Sequence, residues 1–94
     1  MRLHVLAALM FCFGAQVAVA APPLTDAQVR QRIIEQNIAA YQATGHPCAC
    51  PYNLERNGRR CGRVSAYSRP GGAAPLCYAR DVPAGMVSDW RRAH

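Results

Sequence analysis

Cys48, Cys50, Cys61 and Cys77 crowd into the stretch of chain where apolar periodicity disappears, and no other feature limits the fold as strongly. From His46 to Cys77, Pro47, Pro51, Pro70 and Pro75 forbid long helices, while Gly58, Gly62, Gly71 and Gly72 permit tight turns. Such a segment cannot bury enough apolar surface to hold itself together. Four cysteines allow three pairings. A Cys48–Cys50 bridge would close a tiny strained ring, so each is expected to pair onward with Cys61 or Cys77, in either of two arrangements. Either arrangement closes loops of about 12–30 residues, contributing roughly 3–4 kcal/mol per bridge on the chain-entropy model. That is comparable with the net stability of a whole small domain.

Disulfides require an oxidising compartment, and the first twenty residues supply the route to one. Arg2 gives a positive start, Val5 to Phe13 is apolar, and Ala18-Val19-Ala20 has the small-x-small pattern read by signal peptidase. The apolar run falls short of the roughly 20 residues that span a bilayer. We therefore expect a cleaved signal peptide over 1–20 and a single small disulfide-stapled domain over 21–94. Cys12 leaves with the leader, and an even set of four remains. A periplasmic or secreted location follows, with no stable membrane insertion after cleavage.

Two alternatives for the cysteines fit less well. His46, Cys48, Cys50 and Cys61 contain the donor types of a zinc site, but structural sites use C-x₂₋₄-C knuckles, and Cys-Ala-Cys is shorter with no matching second pair. Dithiol redox centres use C-x-x-C at a helix N-terminus, whereas here the spacing is one shorter and Pro51 follows directly. No metal and no cofactor is expected.

Helical patterning flanks the stapled region. Thr25 and Gln28 form a capping box, and Asp26 suits the positive end of the helix dipole. Nothing breaks a helix from there to about Ala43, and Gly45 suits its stop. Ala27, Val29, Ile33, Ile34, Ile38, Ala40 and Tyr41 fall on one half of the helical wheel. Arg30 and Asn37 lie between the apolar flanks of that half. Asn37 is expected to bond carbonyls of the cysteine-rich loop, since an unpaired buried polar group costs about 1–3 kcal/mol; alternatively, both residues line a pocket. A second helix is expected over Val82–Arg92, capped by Asp81, with Val82, Met86 and Trp90 as its buried stripe. Between the helices, Asn57-Gly58 is a type I′ hairpin pair and Arg63–Tyr67 fits one short strand. The fold class is thus small, disulfide-rich and mainly α, with little or no β.

Catalysis has thin support. The mature chain has two histidines, His46 and His94, and no G-x-S-x-G elbow surrounds Ser65 or Ser68. His46, Glu55 and Ser68 would make an acid–base set only if the fold brought them together. Binding has more. All eleven basic residues are arginine against five acids, a formal net charge of +6 that loss of Arg2 lowers by one. Arg59, Arg60, Arg63 and Arg69 are concentrated in the stapled segment with Tyr67 and Ser68, and Tyr52 and Tyr78 are interleaved. Arginine forks pair with phosphate and carboxylate, and aromatics stack on bases. Ser68 to Gly72 would form a turn whose N–H groups converge on an anion. The candidate binding residues are therefore Arg59, Arg60, Arg63, Tyr67, Ser68 and Arg69, with Arg30 and Asn37 beside them.

The succession Cys48-Ala49-Cys50-Pro51-Tyr52, Cys61-Gly62, Ser65-Ala66-Tyr67-Ser68-Arg69-Pro70-Gly71-Gly72 and Cys77-Tyr78 resembles the core of a group of small exported bacterial proteins of uncharacterised function. The resemblance covers nearly all of the mature chain. It implies one exported domain and assigns no activity or site. The expectation for function is a non-enzymatic module that binds an anionic partner: an envelope polymer, a nucleic acid or an acidic protein. The rivals are a small hydrolase of nucleic acid or cell wall, and a purely structural component of the envelope.

Overall fold

The computed structural model describes residues 22–94 together with Gly14. The expected leader, apart from Gly14, lies outside the described residues, and so does Cys12. Two α-helices, α1 (Asp26–Gln42) and α2 (Ala84–Ala93), flank a region of turns and 3₁₀ segments, and no strand is formed among the described residues. Two disulfides close that region, Cys48–Cys61 and Cys50–Cys77. No helix among the described residues is long and apolar enough to cross a membrane.

α1 starts where the capping box places it. The Thr25 hydroxyl accepts from the Gln28 N–H at 3.2 Å, and the Gln28 side chain accepts from the Thr25 N–H at 2.9 Å. Its buried stripe is narrower than the wheel suggests. Val29, Ile33 and Ile34 are buried, whereas Ala27 and Ala40 are exposed. The middle of the packed face is polar and half-buried, made by Arg30 and Asn37. The reason is that α1 packs on irregular chain, whose backbone groups need side-chain partners.

α2 begins two residues later than its pattern implies. Val82 precedes Pro83, and the proline ring disfavours a helical conformation at the residue before it. Val82 is accordingly extended, with φ −103° and ψ 103°, and Pro83 becomes the N-cap without a side-chain bond. The Val82/Met86/Trp90 stripe dissolves with that shift. Val82 and Val87 are buried against Val29, Ile33 and Ile34, Trp90 packs at the edge, and Met86 is 36% exposed. Asp81 does not cap α2, because other N–H groups claim it. At the far end the Arg91 guanidinium meets Asp26 at 2.6 Å, joining the end of α2 to the start of α1.

A second cluster of Ala49, Cys50 and Cys77 is packed by Ile38, Tyr41, Tyr67 and Tyr78. Ile38 borders both clusters, so the apolar interior is continuous along α1. The two disulfide loops overlap along the chain, and neither encloses the other. Cys48 lies toward the outer wall of the stapled region while Cys50 is fully buried with Cys77.

Candidate binding surface

Two expected local structures are replaced. Around Asn57-Gly58 the chain does reverse, with an antiparallel bridge between Leu54 and Arg60. The turn is not type I′, which needs positive φ at both central residues; Gly58 has φ +85° and Asn57 does not. The Gly58 N–H bonds the Glu55 carbonyl at 2.9 Å and the Glu55 N–H bonds the Arg59 carbonyl at 2.7 Å, a longer loop with glycine at its left-handed position. The Asn57 side chain accepts from the Arg59 N–H at 3.0 Å and stiffens the tip.

The expected strand over Arg63–Tyr67 is two successive 3₁₀ turns, Gly62–Val64 and Ala66–Ser68. Local bonds explain the substitution. The buried Ser65 hydroxyl donates to the Gly62 carbonyl at 2.7 Å, and the N–H groups of Val64 and Ser65 bond back to Cys61 and Gly62. Two N–H groups remain for the neighbouring segment: Ala66 donates to the Cys48 carbonyl and Tyr67 to that of Ala49. Gly71, at φ +75°, makes the turn expected after Arg69. The stapled segment is thus held from both ends.

Asp81 is the lock of this region, and the sequence pattern gave it a different task. One carboxylate oxygen accepts from the N–H of Cys77 at 3.1 Å and of Tyr78 at 2.8 Å, and the other from the Tyr67 hydroxyl at 3.1 Å. Burial raises its pKa, but the Tyr78 and Cys77 N–H groups, the Tyr67 hydroxyl and the charge of Arg80 outweigh that and leave it below the ordinary aspartate value. The tyrosines are drawn into the same network. Tyr78 stands edge-on to both Tyr52 and Tyr67, at centroid distances of 5.7 and 5.4 Å, and Arg80 lies 4.4 Å over its face. Tyr52 donates its hydroxyl to the Cys77 carbonyl at 2.7 Å. Burial, then the charges of Tyr78 and Asp81, raise its pKa.

The candidate residues now divide into two groups. Arg30 donates from Nε to the Val82 carbonyl at 3.1 Å, and Asn37 Oδ1 accepts from the Leu76 N–H at 2.7 Å. Asn37 therefore does bind the cysteine-rich loop, through an N–H where a carbonyl was expected. Both side chains bolt α1 to the chain between Leu76 and Val82. Tyr67 belongs to the Asp81 network. Ser68 bonds Ser65 and the Gly62 carbonyl through its hydroxyl. By contrast Arg59, Arg60, Arg63 and Arg69 are exposed, and their side chains make no hydrogen bond or ion pair with any described residue. Arg56, near them, donates to the Gly45 carbonyl at 3.2 Å and ties the hairpin to the end of α1.

A concavity of about 300 Å³ opens beside these arginines, lined by Tyr41, His46, Pro47, Cys48, Glu55, Val64 and Arg69. The fold thus brings His46 and Glu55 to one cleft, although no hydrogen bond joins them. Ser68 is not among its lining residues, so the acid–base set of the sequence is not assembled. The zinc donors are not available either: Cys48, Cys50 and Cys61 are all oxidised. Among the described residues no group of three or more His, Cys, Asp and Glu gathers as a metal ion would require. Sequence spacing offers no route to Tyr41 as a cleft residue, and it marks Glu55 only as a group that the fold would have to bring to His46.

Comparison with protein-family models, with curated proteins and with solved structures finds no match to this chain.

Proposed function

We propose that this chain is an exported, non-catalytic binding module whose stapled segment holds an acidic polymer of the cell envelope. The observation that carries the proposal is the set of four exposed arginines, Arg59, Arg60, Arg63 and Arg69, without internal partners in a chain of net charge +6. Elsewhere Arg30, Arg56, Arg80, Arg91 and Arg92 are engaged by carbonyls, an aromatic face or carboxylates, and Arg32 stands exposed by itself on α1, so the unpaired arginines gather in the stapled segment. Guanidinium groups left unpaired on a cross-linked frame can pair with carboxylate or phosphate without breaking an internal bond, so that only the side chains themselves must be ordered. The leader-like start and the likeness to small exported bacterial proteins support the location. Tyr67 and Tyr78 are half-buried and packed on one another, and Tyr52, 42% exposed, is the one tyrosine of the stapled segment open to stacking, which favours an acidic polysaccharide over a single-stranded nucleic acid that stacks successive bases on several exposed rings.

The test is retention of the oxidised mature protein on immobilised heparin and on single-stranded DNA, across a salt series. Binding should weaken linearly in log–log form, and the triple variant R59Q/R60Q/R63Q should lower the slope by about one per phosphate or sulfate contact removed. Unchanged retention of the triple variant removes the proposal and leaves the structural role. Turnover of the polymer that His46→Ala abolishes would establish the hydrolase instead.

A further inference from the structure

The cleft between the end of α1, the hairpin and the second 3₁₀ turn differs in kind from the arginine surface beside it. Its wall carries one carboxylate, Glu55, and one guanidinium, Arg69, together with the Tyr41 hydroxyl and the His46 ring. None of these four side chains has a hydrogen-bond partner among the described residues, and Glu55 and Arg69 form no ion pair with each other although they share the cleft. Their backbones explain why they stay apart. Glu55 is fixed in the hairpin by its N–H bond to the Arg59 carbonyl, and Arg56 holds the hairpin against Gly45. Arg69 follows a 3₁₀ turn whose Ala66 and Tyr67 N–H groups are bonded to Cys48 and Ala49. The Cys48–Cys61 bridge clamps the two sides together. A carboxylate and a guanidinium thus line one cleft without pairing with each other.

A polyanion does not suit this site, because an unneutralised carboxylate stands in the wall. A molecule with its own opposite charges does. We propose that the cleft binds a small zwitterion, an α-amino acid with an apolar or aromatic side chain. Its carboxylate pairs with the Arg69 fork and its ammonium with Glu55. Its side chain lies on the apolar wall of Tyr41, Pro47 and Val64, where the Tyr41 and His46 rings sit 5.9 Å apart at 32°. The volume of about 300 Å³ is at the lower end of the roughly 300–1,000 Å³ typical of ligand pockets, which matches a molecule of this size. The cleft shares Arg69 with the polyanion surface but none of Arg59, Arg60 and Arg63, which are not among its lining residues, so the two readings are separated by variants at those three positions.

The probe is free L-phenylalanine, titrated into isotope-labelled, oxidised mature protein with amide chemical shifts as the readout. Saturable shifts are expected at His46, Glu55, Val64 and Arg69. N-acetyl-phenylalanine and phenylalanine amide should each bind about ten- to a hundredfold more weakly, as loss of one charged hydrogen-bonding pair implies. In R69Q the amide should no longer be disfavoured, and in E55Q the N-acetyl form should no longer be disfavoured. R59Q/R60Q/R63Q should bind phenylalanine as the parent does, so that failure of the polyanion reading leaves this result untouched. Absence of saturable shifts at millimolar phenylalanine overturns the proposal. Binding of either blocked form as tightly as phenylalanine itself, or preference of the cleft for inorganic phosphate, overturns it as well.

Discussion

Replacing Cys50 and Cys77 together by alanine removes the bridge that closes the longer loop. Its sequence separation is 27, against 13 for Cys48–Cys61, so the chain-entropy terms are about 3.5 and about 3 kcal/mol. Entropy alone barely separates the two. Packing separates them further: Cys50 is fully buried and Cys77 is 3% exposed, in contact with Ile38, Tyr41, Tyr67 and Tyr78, whereas Cys48 is only half-buried. Each buried sulfur lost removes about 1 kcal/mol of apolar burial, by analogy with a methylene group. C50A/C77A should therefore cost about 5–6 kcal/mol and C48A/C61A about 4–5 kcal/mol. A domain of this size has a net stability of roughly 4–11 kcal/mol, so the first variant is expected to sit at the edge of unfolding. Urea titration followed by helical circular dichroism measures both, with thiol titration confirming that the remaining bridge is intact. If C50A/C77A keeps a stability within about 1 kcal/mol of the parent, or proves the milder of the two, then the buried bridge does not organise the core as described.

Two further expectations concern the polar bolts. Asn37→Ala leaves the Leu76 N–H without its acceptor and should cost about 1–3 kcal/mol, with Asn37→Asp recovering part of it; a neutral Asn37→Ala in the same urea assay would mean that water serves as well. Asp81 has a folded-state pKa below its unfolded value, so its contribution is fully present above the unfolded pKa, near about 3.9, and is lost as pH falls through the lower folded value. In that window the unfolded state binds more protons, and acid destabilises the parent. Asp81→Asn should be less stable at neutral pH, since its amide group cannot accept from Tyr67 and from both N–H groups, and should show a flatter decline on acidification. Parallel pH curves for the two proteins would contradict this account of the lock.

Local signals in the chain were sufficient wherever the outcome depended on neighbouring residues. The capping box at Thr25 and Gln28, the apolar spacing of Val29, Ile33 and Ile34, and the chemistry of an even cysteine set in a short chain fix the first helix and require staples. A helix shift of two residues at Pro83 was also written locally, in the restriction that proline places on Val82, although the apolar spacing of Val82, Met86 and Trp90 masked it. Other outcomes needed the third dimension. The two cysteine pairings close loops of similar combined entropy, so neither spacing nor loop length selects one; the selection comes from which sulfur is buried against α1. Arg30 and Asn37 looked alike as a polar gap in an apolar face, and only the position of the Leu76–Val82 backbone makes them bolts. Asp81 had two candidate sets of N–H groups, and the tyrosine cluster decided between them. The meeting of Tyr41, His46, Glu55 and Arg69 around one cleft has no signature in spacing, because the end of α1, the loop after it, the hairpin and the chain after the second 3₁₀ turn are drawn together by the Cys48–Cys61 bridge and the Ala66 and Tyr67 backbone bonds. Sequence alone therefore determined that there would be helices, staples and an excess of positive charge. The tertiary structure decided which polar groups would be used up inside the molecule and which would be left to meet something else.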